Sequence, residues 1–159
     1  MNRELIKELI EELLGCKDML LVIDSGGAVS EMHAPPEIAT EYAGRWANIE
    51  AGQWHIHLDL DAVKGAQFVE NSNHGHESIM PKLHYLRMSG TDEATLLRFY
   101  FPNPWLDDDE KPTEFQPEKL RVFEDIRDRY VGRGGVVFVE RTADGDKYHS
   151  EPVKSGGVV

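Results

Sequence analysis

The residues best suited to chemistry are histidines and arginines set in apolar surroundings. His55 and His57 stand two apart in GQWHIHLDLDAV, directly after Trp54. On a strand that spacing turns both imidazoles to one side, roughly 6.5–7 Å apart, so they can converge on one metal or border one pocket. Zinc or iron would require further ligands of suitable geometry. Asp59 extends the same face, and strand pairing can bring His84 close. A structural or surface pair of polar side chains is the other reading of His55 and His57. His74 and His76 repeat the spacing in NHGHE, but they flank a glycine, which points to an exposed loop.

Arg98 lies inside LLRFYF, where burying a guanidinium requires a partner or solvent at its tip. Its planar fork suits a carboxylate, on a ligand or on an acidic neighbour. Arg87 raises the same question. Trp54 and Tyr100 belong to a set of aromatics that can line an apolar cavity or fill a core. Several chemistries lack their signatures. There is no H-E-x-x-H helix, no glycine-rich loop leading to Lys-Ser/Thr, no G-x-S-x-G elbow and no paired cysteines of a deaminase. Asp107 to Glu110 form an acidic run without EF-hand spacing.

The elements that position these residues follow from periodicity. Leu5, Ile6, Leu9, Ile10, Leu13 and Leu14 recur at helical spacing against a charged face, and Gly15 ends the pattern. Met19–Ile23 and Ala28–Met32 read as a hairpin around Asp24-Ser25-Gly26-Gly27. APPEIATEYAGRW reads as a loop with a short helical turn at Pro36. Gln53–Leu60 alternates, with Trp54, Ile56, Leu58 and Leu60 on one face. Ala66–Glu70, Lys82–Met88 and Ala94–Phe101 follow as strands joined by short turns, which suits an antiparallel meander. The acidic, proline-bearing stretch 102–116 is long for a link and reads as a lid or cover. Pro117–Val131 returns to helical period, and Val136–Glu140 is a last strand. One α+β domain over 1–145, an antiparallel sheet with flanking helices, is expected, with 146–159 as a flexible tail.

The chain has 159 residues, 40% of them hydrophobic and 29% charged, enough for one sizeable core. A formal net charge of −12 argues against nucleic acid and anionic membrane surfaces as partners. The lone Cys16 excludes an internal disulfide and suits a reducing compartment. The charged N-terminal segment is unlike a signal peptide, no apolar run is long enough to span a bilayer, and cytoplasmic residence is expected.

The order of these segments resembles a known family. The WANI approach, the WHIHLDLDAVKGAQFVE strand pair, KLHYLRM, a glycine turn, TLLRFYF and a final helix beginning near Glu118 are similar to the bacterial cytosolic haem-utilisation proteins, the ChuX/HutX and HemS group. The likeness runs from Trp46 to Val131. It implies an antiparallel sheet with flanking helices, haem as cofactor, and a homodimer, for which the apolar stripe of the first helix would be a second motive. Haem would lie against apolar side chains, including Trp54 and Tyr100, with His55, His57 or His84 near iron and Arg98 near a propionate. A haem donor or acceptor protein would be the partner. Binding or trafficking is favoured over degradation, because no flavin or nicotinamide fingerprint is present. The alternatives are a non-catalytic dimeric interaction module and a non-haem metal enzyme built on His55 and His57.

Overall fold

The computed structural model describes residues 1–145 and 147–154. The chain opens with α1 (Arg3–Leu14), capped by the Asn2 side chain, which accepts from the Glu4 amide at 2.7 Å. Its stripe of Leu5, Ile6, Leu9, Ile10 and Leu13 is buried in the chain's own core. Each such side chain contributes about 1.5–3 kcal/mol by leaving water. The stripe is therefore internal and supplies no face to a second copy, so it does not support the dimer expected from it.

Ten strands follow: β1 (Leu20–Asp24), β2 (Val29–His33), β3 (Ala39–Ala43), β4 (Trp46–Ala51), β5 (Trp54–Asp59), β6 (Gly65–Ser72), β7 (Lys82–Ser89), β8 (Thr95–Tyr100), β9 (Val136–Asp144) and β10 (Lys147–Pro152). Helix α2 (Pro117–Tyr130) stands between β8 and β9, with Pro at its first turn. The strands make two sheets. The larger has the order β10-β9-β6-β7-β8-β1-β2, and the smaller β3-β4-β5. The inner faces of both sheets close with α1 and α2 on one apolar cluster, in which Phe123 of α2 meets Phe68 and Phe101 edge-on at 5.9 and 5.2 Å.

The expected α+β class, with a sheet flanked by two helices, is found, and three expectations are corrected. The sheet is mixed, because β9 runs parallel to β6. A strand reached through a helix can return in the same direction as an earlier one, which a tight turn cannot achieve. The stretch expected as a loop after Pro36 contains β3, an edge strand paired to β4 by Ala39↔Glu50 through Ala43↔Trp46. The start of the expected tail is likewise a strand: β10 pairs with β9 from Lys147↔Asp144 to Pro152↔Val139. Backbone pairing to a neighbour, rather than an apolar face, builds this segment, and every residue of it is exposed. Residues 146 and 155–159 of that expected tail lie outside the described residues.

Candidate functional site

The large sheet presents its other face away from the core, and the register aligns its side chains in rows. One row crosses six strands as His33, Leu20, Tyr100, Tyr85, Val69 and Val139. The neighbouring row reads Glu31, Val22, Arg98, Arg87, Gln67 and Val137. Val22, Val69 and Tyr85 are buried, yet none belongs to the apolar core cluster. Their burial comes from neighbours on the same face. The Tyr100 ring lies 4.7 Å from that of Tyr85, and the Arg98 guanidinium sits 5.9 Å from the same ring.

Two hollows open on this face. The larger, about 750 Å³, lies over β1, β2 and β8 and is walled by the segment 101–110. The smaller, about 410 Å³, lies over β6 to β9. Arg98 borders both. Charge is divided between them. Asp18, Asp24, Glu31 and the run Asp107–Glu110 line the larger hollow, with Arg98 and Lys119 as its cations, whereas Arg87, Arg98 and Arg141 gather at the smaller with Glu93 as the acid.

The three arginines are not equivalent. Arg87 is consumed by the fold: it donates to Thr95 Oγ1 at 2.7 Å, to Gln67 Oε1 at 2.8 Å and to the Glu93 carbonyl. Arg98 approaches Asp24 only at 3.8 Å, and its buried Nε has no hydrogen-bond partner. A buried N–H without an acceptor is costly unless something else satisfies it. Arg141 stacks over the Tyr148 ring at 4.3 Å. Burial, then the neighbouring Tyr85, push the Tyr100 hydroxyl above its ordinary pKa, while Arg98 and Arg141 pull the other way.

The site residues expected from sequence are split by the fold. Arg98, Tyr100 and His84 border the larger hollow. The His84 ring is buried, packed 4.9 Å from Phe123, with Nε2 3.1 Å from Glu70 Oε2 and no partner on Nδ1. Trp54, His55 and His57 belong to the small sheet and border neither hollow. His55 and His57 stack at 6.2 Å on its outer face, as their spacing requires. His57 Nδ1 lies 2.7 Å from Asn48 Oδ1, and His55 Nδ1 lies 3.5 Å from Glu50. Asp59 is held by Arg45 instead of extending the pair. Among the described residues no group of three histidine, cysteine or carboxylate side chains is placed to hold a metal ion. The sequence reading missed His33, Tyr85 and Val69. In KLHYLRM, Leu83, Tyr85 and Arg87 share one parity and His84, Leu86 and Met88 the other, but both parities contain buried residues, so alternation does not single out Tyr85.

These features define an α+β protein with a mixed seven-stranded sheet, one face of which is packed on helices while the other carries an aromatic and arginine-bearing hollow. A family model described only as "-like" matches residues 7–128, and the chain belongs to that family. No curated protein matches the chain. Among solved structures, a protein from Agrobacterium tumefaciens is similar at 17% identity with a TM-score of 0.63, over 82% of this chain and 70% of that one. One described as the haem-binding protein ChuX is similar at 10% identity with a TM-score of 0.60, over 79% of this chain and 72% of the other. A protein from Erwinia carotovora gives 10% identity and a TM-score of 0.61, over 81% and 73% of the two chains. The fold is thus shared with ChuX-like structures. No helix among the described residues is long and apolar enough to cross a membrane.

Proposed function

We propose that this protein handles haem, binding it without degrading it, on the open face of the large sheet. The observation that carries the reading is Arg98, whose buried Nε lacks a partner beside the Tyr85–Tyr100 pair, on an apolar row that the core does not use. A flat apolar ring with carboxylates at one edge fits that set of groups. The aromatic and aliphatic row would cover the ring, and Arg98 with Arg141 would receive the carboxylates through charge-assisted bonds. Haem, when bound, would supply an iron centre with an open coordination position.

The fold shared with a protein described as haem-binding supports the same reading. The acidic composition does not oppose it, because the arginines are gathered where the anionic edge would lie. A separate donor or acceptor protein would complete a trafficking role, and a homodimer would have to use a surface other than the apolar stripe of α1. Titration with ferric haem tests the reading. The wild-type protein should give a saturable Soret change, and Arg98→Gln should weaken it about ten- to a hundredfold, the usual effect of losing a hydrogen bond to a charged group. Non-saturating changes, equal in both proteins, would mean surface adsorption.

A further inference from the structure

Segment 103–116 is a braced tongue. Leu106 and Pro112 form an isolated antiparallel bridge, the Thr113 amide donates to the Trp105 carbonyl at 2.9 Å, and the Gln116 amide donates to the Pro104 carbonyl at 2.8 Å. Gln116 Nε2 and Lys119 Nζ both donate to the Leu106 carbonyl at 2.6 Å, tying the stem to α2. Asp107 closes the tip, its carboxylate accepting the amides of Asp109 and Lys111, each at 2.9 Å. This stem holds the tip over the larger hollow.

From the tip, Glu110 Oε1 comes to 3.7 Å from His33 Nε2 on edge strand β2. His33 is the histidine that the register places in the row of Tyr100 and Tyr85. Two strand spacings, about 10 Å, separate it from Tyr100 along that row. Both side chains are mostly exposed, and the contact is an ion pair only when the imidazole is protonated, so it is weak and can be displaced.

We infer that Glu110 is an affinity-setting residue of this site: its carboxylate holds His33 in the free protein, and a bound tetrapyrrole takes the imidazole for its metal. This rests on the haem reading above. The tongue and the ligand compete for one nitrogen, since His33 Nε2 cannot face a carboxylate and a metal together. The neighbouring carboxylates of Asp107, Asp108 and Asp109 also disfavour an anionic edge beneath the tongue, which leaves the metal there and turns the carboxylates toward Arg98.

The test compares ferric haem with metal-free protoporphyrin IX, which offers the same ring and carboxylates without iron. Dissociation constants and absorption spectra are measured for the wild type, Glu110→Gln, His33→Ala and the double variant. Glu110→Gln should tighten haem about two- to fivefold, the effect of an exposed ion pair, and leave protoporphyrin IX unchanged. His33→Ala should weaken haem, alter its spectrum, and abolish the effect of Glu110→Gln in the double variant. Equal tightening of both compounds, or an unchanged haem spectrum in His33→Ala, overturns the competition while leaving the haem reading intact. Saturable binding of neither compound overturns the haem reading and the competition with it.

Discussion

Glu70 and His84 face each other across β6 and β7 in the register, and their side chains meet at 3.1 Å between Oε2 and Nε2. Lys82 holds the second carboxylate oxygen, and the His84 ring lies against Phe123. A histidine that reads from sequence as a ligand is thus tied into the fold, at the end of the hollow that Arg98 borders.

Acid sensitivity follows from that pair. The His84 hydrogen bond, then the Lys82 hydrogen bond, lower the Glu70 carboxyl from 4.5 to about 2, against the opposing effect of burial. A depressed carboxylate contributes stability that is complete above its unfolded value and is lost as pH falls through the folded one. The window therefore runs from about pH 4.5 down to about pH 2. Allowing for the partial exposure of the group, the loss is roughly 1–2 kcal/mol. Urea melts across that range should fall more steeply for the wild type than for Glu70→Gln. Parallel profiles would show that the pair does not stabilise the fold.

Gly134, between α2 and β9, makes a second stability test. Its φ is +51°, and a Cβ there would stand 2.6 Å from Leu5 Cδ2 in the core stripe of α1. Gly132 also has a positive φ, +93°, but a Cβ there would meet nothing within 4 Å. The φ of Gly134 strains a side chain less than +93° does at Gly132, so a Gly134→Ala loss as large as or larger than that of Gly132→Ala, about 1–3 kcal/mol, is expected and measures the clash with Leu5. Thermal melts of the two variants check it. A smaller Tm loss in Gly134→Ala than in Gly132→Ala would mean that Leu5 yields without cost.

The arginine division makes a prediction about binding. Arg87 is satisfied within the fold, so Arg87→Gln should lower stability by about 1–3 kcal/mol through the groups it leaves unpaired. Arg141 touches mainly the Tyr148 ring, so Arg141→Gln should leave Tm nearly unchanged and weaken haem several-fold. Paired thermal melts and haem titrations decide between these outcomes. Weakened haem binding in Arg87→Gln at unchanged stability would reverse the assignment.

The helices and the strands β5 to β8 were legible because each carries a strong periodic signal. Leu5 to Leu13 repeat at helical spacing, and Trp54 to Leu58 alternate, with Ile56 and Leu58 buried while His55 and His57 are exposed. β3 and β10 were not legible, because Ala39–Ala43 and Lys147–Pro152 are edge strands with little or no buried face to impose alternation. The parallel pairing of β6 with β9 joins segments more than sixty residues apart, which no local pattern encodes. In the site, Arg98 and Tyr100 stood out as an arginine and an aromatic in an apolar strand. Tyr85 did not, because β7 buries residues of both parities, Tyr85 as well as Leu86 and Met88. His33 gained its place only through β1, which joins it to Tyr100.

His55 and His57 stand two apart on β5, in the small sheet. Both imidazoles lie on the exposed outer face of the small sheet, and their partners there are Glu50 and Asn48. Neither borders the hollows of the large sheet. Exposed side chains held by one weak partner contribute little, so His55→Ala with His57→Ala should change stability by no more than about 0.5 kcal/mol. The double variant should also bind haem with wild-type affinity and spectrum, whereas His33→Ala should not. Among the described residues no third ligand joins them, and two histidines alone hold zinc poorly, so zinc titration should show no tight site that this double variant removes. A haem spectrum altered by the double variant, with Arg98→Gln silent, would move the haem site from the large sheet to the small one.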